Sequence, residues 1–85
     1  MSKRRNAGYE IIVAIPLNET TELVIGRNEK RLARYVVWYC MSGDSYHNGG
    51  YCSTYRKALE VVMTRIRENY QYISGDMERS VEDED

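Results

Sequence analysis

Hydrophobic and polar residues alternate with a period of two along the first half of the chain, as in strands with one buried face. Three segments have a strand-like pattern, residues 9–17, 21–27 and 34–41, and β-branched and aromatic side chains, which favour strands, are common in them. In the first segment one face collects five side chains: Tyr9, Ile11, Val13, Ile15 and Leu17. A short polar turn follows and predicts a hairpin with the second segment.

The third segment is apolar on both of its faces. Tyr35, Val37 and Tyr39 point to one side of the predicted strand, and Trp38 points to the other. Such a run is typical of a central strand covered on both sides, or of a strand whose aromatic face is open to a partner. Both interpretations stay open, because either set can face away from the rest of the fold.

The last third of the chain changes to a helical period. Residues 54–73 place apolar side chains three and four positions apart, which makes one stripe: Ala58, Leu59, Val62, Met63, Ile66, Tyr70 and Ile73. Ser53 or Thr54 can cap the start of this helix, and Gly75 predicts its end.

A run of strands followed by one helix predicts an α+β fold. We expect a three- to four-stranded antiparallel sheet (β-β-β-(β)-α) with one amphipathic C-terminal helix packed on one face. The domain is expected to cover residues 9–74, between a basic flexible arm at 1–8 and an acidic disordered tail at 75–85.

The glycine-rich segment between residues 42 and 53 is compatible with two turn positions, and therefore with two registers of the strand that follows. Asn48 and Gly49 form the strongest turn signal, because a type I′ turn needs positive φ at both central positions. A short fourth strand over residues 51–53 is expected whichever turn forms. If the turn is instead centred near Tyr46, Cys40 and Cys52 become cross-strand neighbours, and the sequence does not choose between these registers.

Composition and charge add two asymmetries. The chain has eight tyrosines, one tryptophan and no phenylalanine, and tyrosine is enriched where proteins meet partners. Residues 76–85 hold six acids against one arginine, a net charge of −5, whereas the other 75 residues hold eleven basic against seven acidic residues, a net charge of +4.

Several classes of function have little support. We expect no metal site and no cofactor, since two cysteines and one histidine are too few for a structural zinc site. His47 lies in a glycine-rich loop, so a Cys–His nucleophile is the remaining enzymatic hypothesis, and we predict that the protein is not an enzyme. No apolar run approaches the roughly 20 residues of a membrane-spanning helix, so we expect a cytoplasmic protein without a membrane partner.

The main functional prediction is a small binding protein that acts through a protein–protein interface or by self-association as a homodimer. The predicted contact residues are the aromatic ones: Tyr35, Trp38, Tyr39, Tyr46 and Tyr51. The size and charged ends are typical of small phage or mobile-element proteins that inhibit a host or defence protein, as anti-CRISPR proteins do. No motif connects the chain to a particular family of that kind.

The alternative prediction is a nucleic-acid-binding module in which basic side chains contact phosphates and tyrosines stack on bases. The predicted nucleic-acid or anion contacts are Arg27, Lys30, Arg31, Arg34, Arg56 and Lys57. The near-neutral total charge and the acidic tail count against this alternative.

Overall fold

The computed structural model of the protein describes residues 4–84, with side chains through Asn69. Its elements follow in chain order: β1 Arg5–Asn6, β2 Tyr9–Pro16, β3 Thr21–Arg27, β4 Tyr35–Met41, β5 Ser45–Cys52 and α1 Tyr55–Glu84. The strands form a five-stranded antiparallel sheet in the spatial order β1-β2-β3-β4-β5. The α+β class is confirmed, but the described strands number five and not three to four, because β1 pairs with the start of β2 and β5 is eight residues long.

The turn between β4 and β5 lies at residues 42–44, ahead of the predicted Asn48-Gly49 turn. Ser42 and Gly43 have positive φ values of 56° and 83°, and Met41 pairs with Ser45. This register places Cys40 opposite Tyr46 and Cys52 opposite Tyr35, so the cysteines are not cross-strand neighbours. Both thiols are free and buried, and they belong to clusters on opposite faces of the sheet.

Asn48 and Gly49 form a bulge in β5. Val37 pairs with Gly50 and Tyr39 pairs with His47, so Trp38 stands opposite two residues of β5. Asn48 has a φ of 57°, and a Cβ atom on Gly49 would lie only 2.9 Å from Trp38 Nε1. The turn-forming dipeptide is therefore used to make room for an indole ring inside a strand.

A second bulge changes the faces of β2. Ile11 pairs with Gly26 and Val13 pairs with Ile25, and the register shifts between the two pairs. Tyr9 and Ile11 consequently pack on the face opposite the helix, whereas Val13 and Ile15 pack on the helix face. The prediction that all odd-numbered residues of this segment share one face is wrong, because one extra residue reverses the alternation.

The helix α1 packs on β4 and β5 and completes the first of two apolar clusters. Ala58 and Val62 are buried against the sheet, and Thr54 caps the helix by accepting a hydrogen bond from Lys57 N at 3.2 Å. The buried members of this helix-side cluster are Leu23, Ile25, Val37, Cys52, Ala58 and Val62. The helix continues past Gly75, where its end was predicted, and the side chains of the predicted acidic tail, 75–85, lie outside the described ones.

A second cluster covers the face of the sheet opposite the helix. Its buried members are Tyr9, Val24, Val36, Trp38 and Cys40. The strand β4 is therefore central and covered on both sides, which is the first of the two interpretations of its apolar pattern.

Candidate functional site

Trp38 is enclosed by other aromatic side chains. Only 5% of its surface is exposed, and its ring lies 5.8 Å from the ring of Tyr9 and 5.5 Å from that of Tyr46. Tyr46 is half-buried, and Tyr51 is 59% exposed beside Tyr9. Of the three aromatic residues predicted to bind a partner that lie on this face, Tyr51 alone offers most of its ring to solvent.

Two arginines cover the helix-free face of the sheet, one at each end. Arg4 Nη2 lies 3.0 Å from Glu22 Oε1, and the same nitrogen donates to Cys40 Sγ at 3.3 Å and Tyr46 Oη at 3.5 Å. The guanidinium of Arg31 lies 5.3 Å from the ring centre of Tyr9. Arg31, predicted as a nucleic-acid contact, thus also stacks on a core residue.

Tyr35 and Tyr39 lie on the helix face. The guanidinium of Arg65 lies 5.0 Å from the ring centre of Tyr39 and donates to Val37 O at 3.2 Å. Asn69 Nδ2 donates to Tyr39 Oη at 3.0 Å. Tyr39 therefore holds the helix to the sheet, and Tyr35 contacts Tyr55 at the start of the helix, 5.6 Å between ring centres.

Arg65 lies outside the predicted apolar stripe of the helix, so the sequence pattern does not indicate that it joins the helix to the sheet. The guanidinium reaches β4 by crossing β5 at Gly50, where a Cβ atom would lie 3.2 Å from Arg65 Nη2. The signal in the sequence is a glycine on the edge strand, which becomes informative only when the register is known.

A groove of about 590 Å³ lies between the last residues of β5 and one flank of α1. The strand contributes Tyr51 and Cys52 with Ser53 after them, and the helix contributes Lys57, Glu60, Val61, Thr64, Arg65 and Glu68. Burial raises the pKa of the Cys52 thiol, and the positive charges of Arg65 and Lys57 oppose that shift only in part. The Cys52 side chain therefore lines the groove as a neutral thiol.

The six predicted anion contacts are brought to one end of the sheet and are all exposed: Arg27, Lys30, Arg31, Arg34, Arg56 and Lys57. The last residue of β3, the first residue of β4 and the start of the helix after β5 all lie at this end of the sheet. Arg5 lies at the same end, since it pairs with Glu10, whose other partner is Arg27. We name this group of seven cations the basic end.

The structure does not bring His47 into hydrogen-bond contact with either cysteine. His47 Nε2 lies 2.7 Å from Ser45 Oγ, both side chains are exposed on β5, and both thiols are buried in the two clusters. Among residues 4–69 no group of three or more His, Cys, Asp or Glu side chains is arranged to hold a metal ion.

Comparison of the chain with protein-family models, with curated proteins and with solved structures finds no match. Over the part of the chain that the structure describes, no helix is long and apolar enough to cross a membrane.

Proposed function

We propose that the protein binds another protein by adding an extended segment of that partner to the free edge of β5, beside the groove along α1. The observation that carries this proposal is the edge itself. β5 is the last strand of the sheet order and pairs with β4 on one side, which leaves the backbone groups on its other side for a partner strand.

The composition of β5 favours such pairing. Edge strands are commonly protected by lysine, by other charged side chains or by proline, and Ser45–Cys52 has no Lys, Arg, Asp, Glu or Pro. The opposite edge of the sheet is protected, because β1 covers the start of β2 and Pro16 stands at its end. The bulge at Asn48 twists β5, so the regular segment beside the groove is residues 50–52.

The groove supplies a second wall for an added strand. Its helical lining runs from Lys57 to Glu68, which rises about 17 Å at 1.5 Å per residue. That length equals about five residues of extended chain. Val61 and Cys52 are apolar residues of the groove lining. A bound segment can therefore bury alternate side chains against them while its backbone pairs with β5.

Two variants in one turn of α1 test the proposal. Thr64 is exposed and lines the groove, whereas Met63 is exposed on a different flank of the same helix. Thr64→Arg and Met63→Arg add the same charge, and each should change stability by no more than about 0.5 kcal/mol. In a quantitative pull-down from cell extract, we expect the partner to be retained by the wild type and Met63→Arg and lost by Thr64→Arg.

The reverse result, with retention by Thr64→Arg and loss in Met63→Arg, would place the interface on the other flank of the helix and contradict the proposal. A partner bound by strand addition should also slow amide hydrogen exchange in β5 more than in β2. Equal protection of the two strands would argue against pairing at the β5 edge.

A further inference from the structure

Charge is separated along the strand direction of the sheet. The basic end carries seven cations against three acids, Glu10, Glu29 and Glu60, a net charge of +4. The other end, where the turns at residues 17–20 and 42–44 lie, carries Glu19 and Asp44, with Glu22 nearby paired to Arg4. A field of this kind attracts a polyanion to one end of the domain.

The loop between β3 and β4 presents an apolar side chain in the middle of the basic end. Leu32 is 97% exposed and has Arg31 before it and Arg34 two residues after it. The loop is held at its base, because Tyr9 Oη donates to Ala33 O at 2.6 Å and Asn28 N donates to Arg34 O at 2.8 Å. Leu32 is thus held in solvent among cations, where its side chain is available to contact a ligand.

Aromatic rings border the same cations. Tyr51 is 59% exposed and lies 6.2 Å from Tyr9, the residue on which Arg31 stacks. Tyr55 is 39% exposed and precedes Arg56 at the start of the helix. Flat rings beside arginines are the surfaces on which unpaired bases stack.

We propose that the basic end binds single-stranded nucleic acid, with the cations on phosphates and with Leu32, Tyr51 and Tyr55 against bases. The choice of a single strand follows from the apolar and aromatic side chains, since only unpaired bases expose faces for them. Arginine supplies five of the seven cations, which suits phosphate oxygens better than lysine does. From β1 to β5 the end is four strand spacings wide, about 19 Å, which accommodates several phosphates.

The test is fluorescence anisotropy of the full-length protein with labelled oligouridine of about 12 nucleotides, in RNA and DNA forms. Four phosphate contacts predict that the logarithm of the affinity falls with the logarithm of salt concentration with a slope of about −3. Between about 50 and 200 mM salt the affinity should therefore fall about 50-fold. A duplex of the same length should bind more weakly than the single strand.

Matched variants separate the charge from the apolar contact. Arg34→Glu should weaken binding about tenfold or more at low salt and make the salt slope shallower by about 0.7 or more, whereas Arg67→Glu, exposed further along the helix, should change neither. Leu32→Ala should weaken binding several-fold and leave the salt slope unchanged. Leu32 has almost no contact with the fold, so this variant keeps its stability.

Three results would overturn the proposal: no binding to either oligonucleotide at about 50 mM salt, equal loss in Arg34→Glu and Arg67→Glu, or displacement of the oligonucleotide by much lower concentrations of polyglutamate. The last result would assign the basic end to an acidic protein segment. Lys57 and Tyr51 belong both to the groove and to the proposed nucleic-acid surface, but Thr64 lines only the groove. Thr64→Arg should therefore bind oligouridine normally, which separates this test from the interface at β5.

Discussion

Gly26→Ala tests the packing of the cluster on the helix-free face. Gly26 is buried in β3, and a Cβ atom there would lie 2.9 Å from Tyr9 Cβ, 3.1 Å from Trp38 Cζ3 and 3.2 Å from Val36 Cγ1. The first contact is shorter than real Cβ atoms tolerate, and Tyr9 Cβ cannot swing away because it is bonded to the backbone of β2. The other two atoms belong to buried side chains that have little space to retreat.

The expected destabilisation is about 2 kcal/mol. Forcing one extra methyl into a well-packed core costs about 1–3 kcal/mol, and a contact of 2.9 Å to an atom that cannot rotate away puts Gly26 near the upper end of that range. Replacing glycine also restricts the unfolded chain, which offsets about 0.4–1 kcal/mol of that cost at a position without positive φ. For a domain of this size, a net loss of about 2 kcal/mol lowers the melting temperature by about 8–16 °C.

Gly50→Ala is the matched control in the neighbouring part of the sheet. The nearest atom to its new Cβ would be Arg65 Nη2 at 3.2 Å, the far end of a flexible side chain that needs to shift by only a few tenths of an ångström and can keep its bond to Val37 O. Its free energy of unfolding should stay within about 0.5 kcal/mol of the wild type. Both values follow from urea titrations monitored by Trp38 fluorescence, and equal stability of Gly26→Ala and the wild type would refute the close packing of Tyr9 on β3.

Three further outcomes follow from the same contacts. Trp38→Ala should lower the free energy of unfolding by about 3–5 kcal/mol, measured by circular dichroism in urea, because the ring is almost fully buried; a loss below 1 kcal/mol would contradict this burial. Arg65→Ala should cost about 1–2 kcal/mol by losing the bond to Val37 O and the stack on Tyr39, and an unchanged urea midpoint would mean that the helix is held without it. Burial raises the pKa of the Cys52 thiol, so the stability that the buried neutral thiol contributes is present below the unfolded pKa of about 8.5 and is lost as the pH rises above it. Iodoacetamide at neutral pH should label both cysteines only after unfolding, and rapid labelling of the native protein would disprove their burial.

Local sequence patterns predicted the strands and the helix in which apolar residues recur at regular intervals. The helix start at Thr54 follows from a capping hydroxyl ahead of an apolar stripe, and the structure confirms the cap. Of the predicted stripe, Ala58, Val62 and Ile66 pack on the sheet, whereas Leu59 and Met63 are exposed. The strand over residues 21–27 follows from alternation, and the strand over residues 34–41 follows from an apolar run of β-branched and aromatic residues. β3 and β4 match these two predictions closely. In each case the information lies within a few neighbouring residues.

The remaining features depend on contacts between distant residues. The bulge in β2 reverses the face of Tyr9, and nothing within residues 9–17 marks the extra residue. Asn48-Gly49 has the composition of a turn, but Trp38 on the neighbouring strand needs the space above Gly49, so the turn forms at residues 42–44 instead. Arg65 likewise has the spacing of a solvent-facing residue until Gly50 opens a path to β4.

The use of both faces of the sheet for folding determines where a partner can bind. One face packs on the helix and the other is closed by Tyr9, Tyr46 and the two arginines above them, so neither face offers an open aromatic layer. A mutation at Trp38 would therefore report loss of fold and not loss of a contact. β5 has a backbone edge outside the sheet ladder, and the basic end has exposed cations, which is why we propose a partner strand at the first and a polyanion at the second.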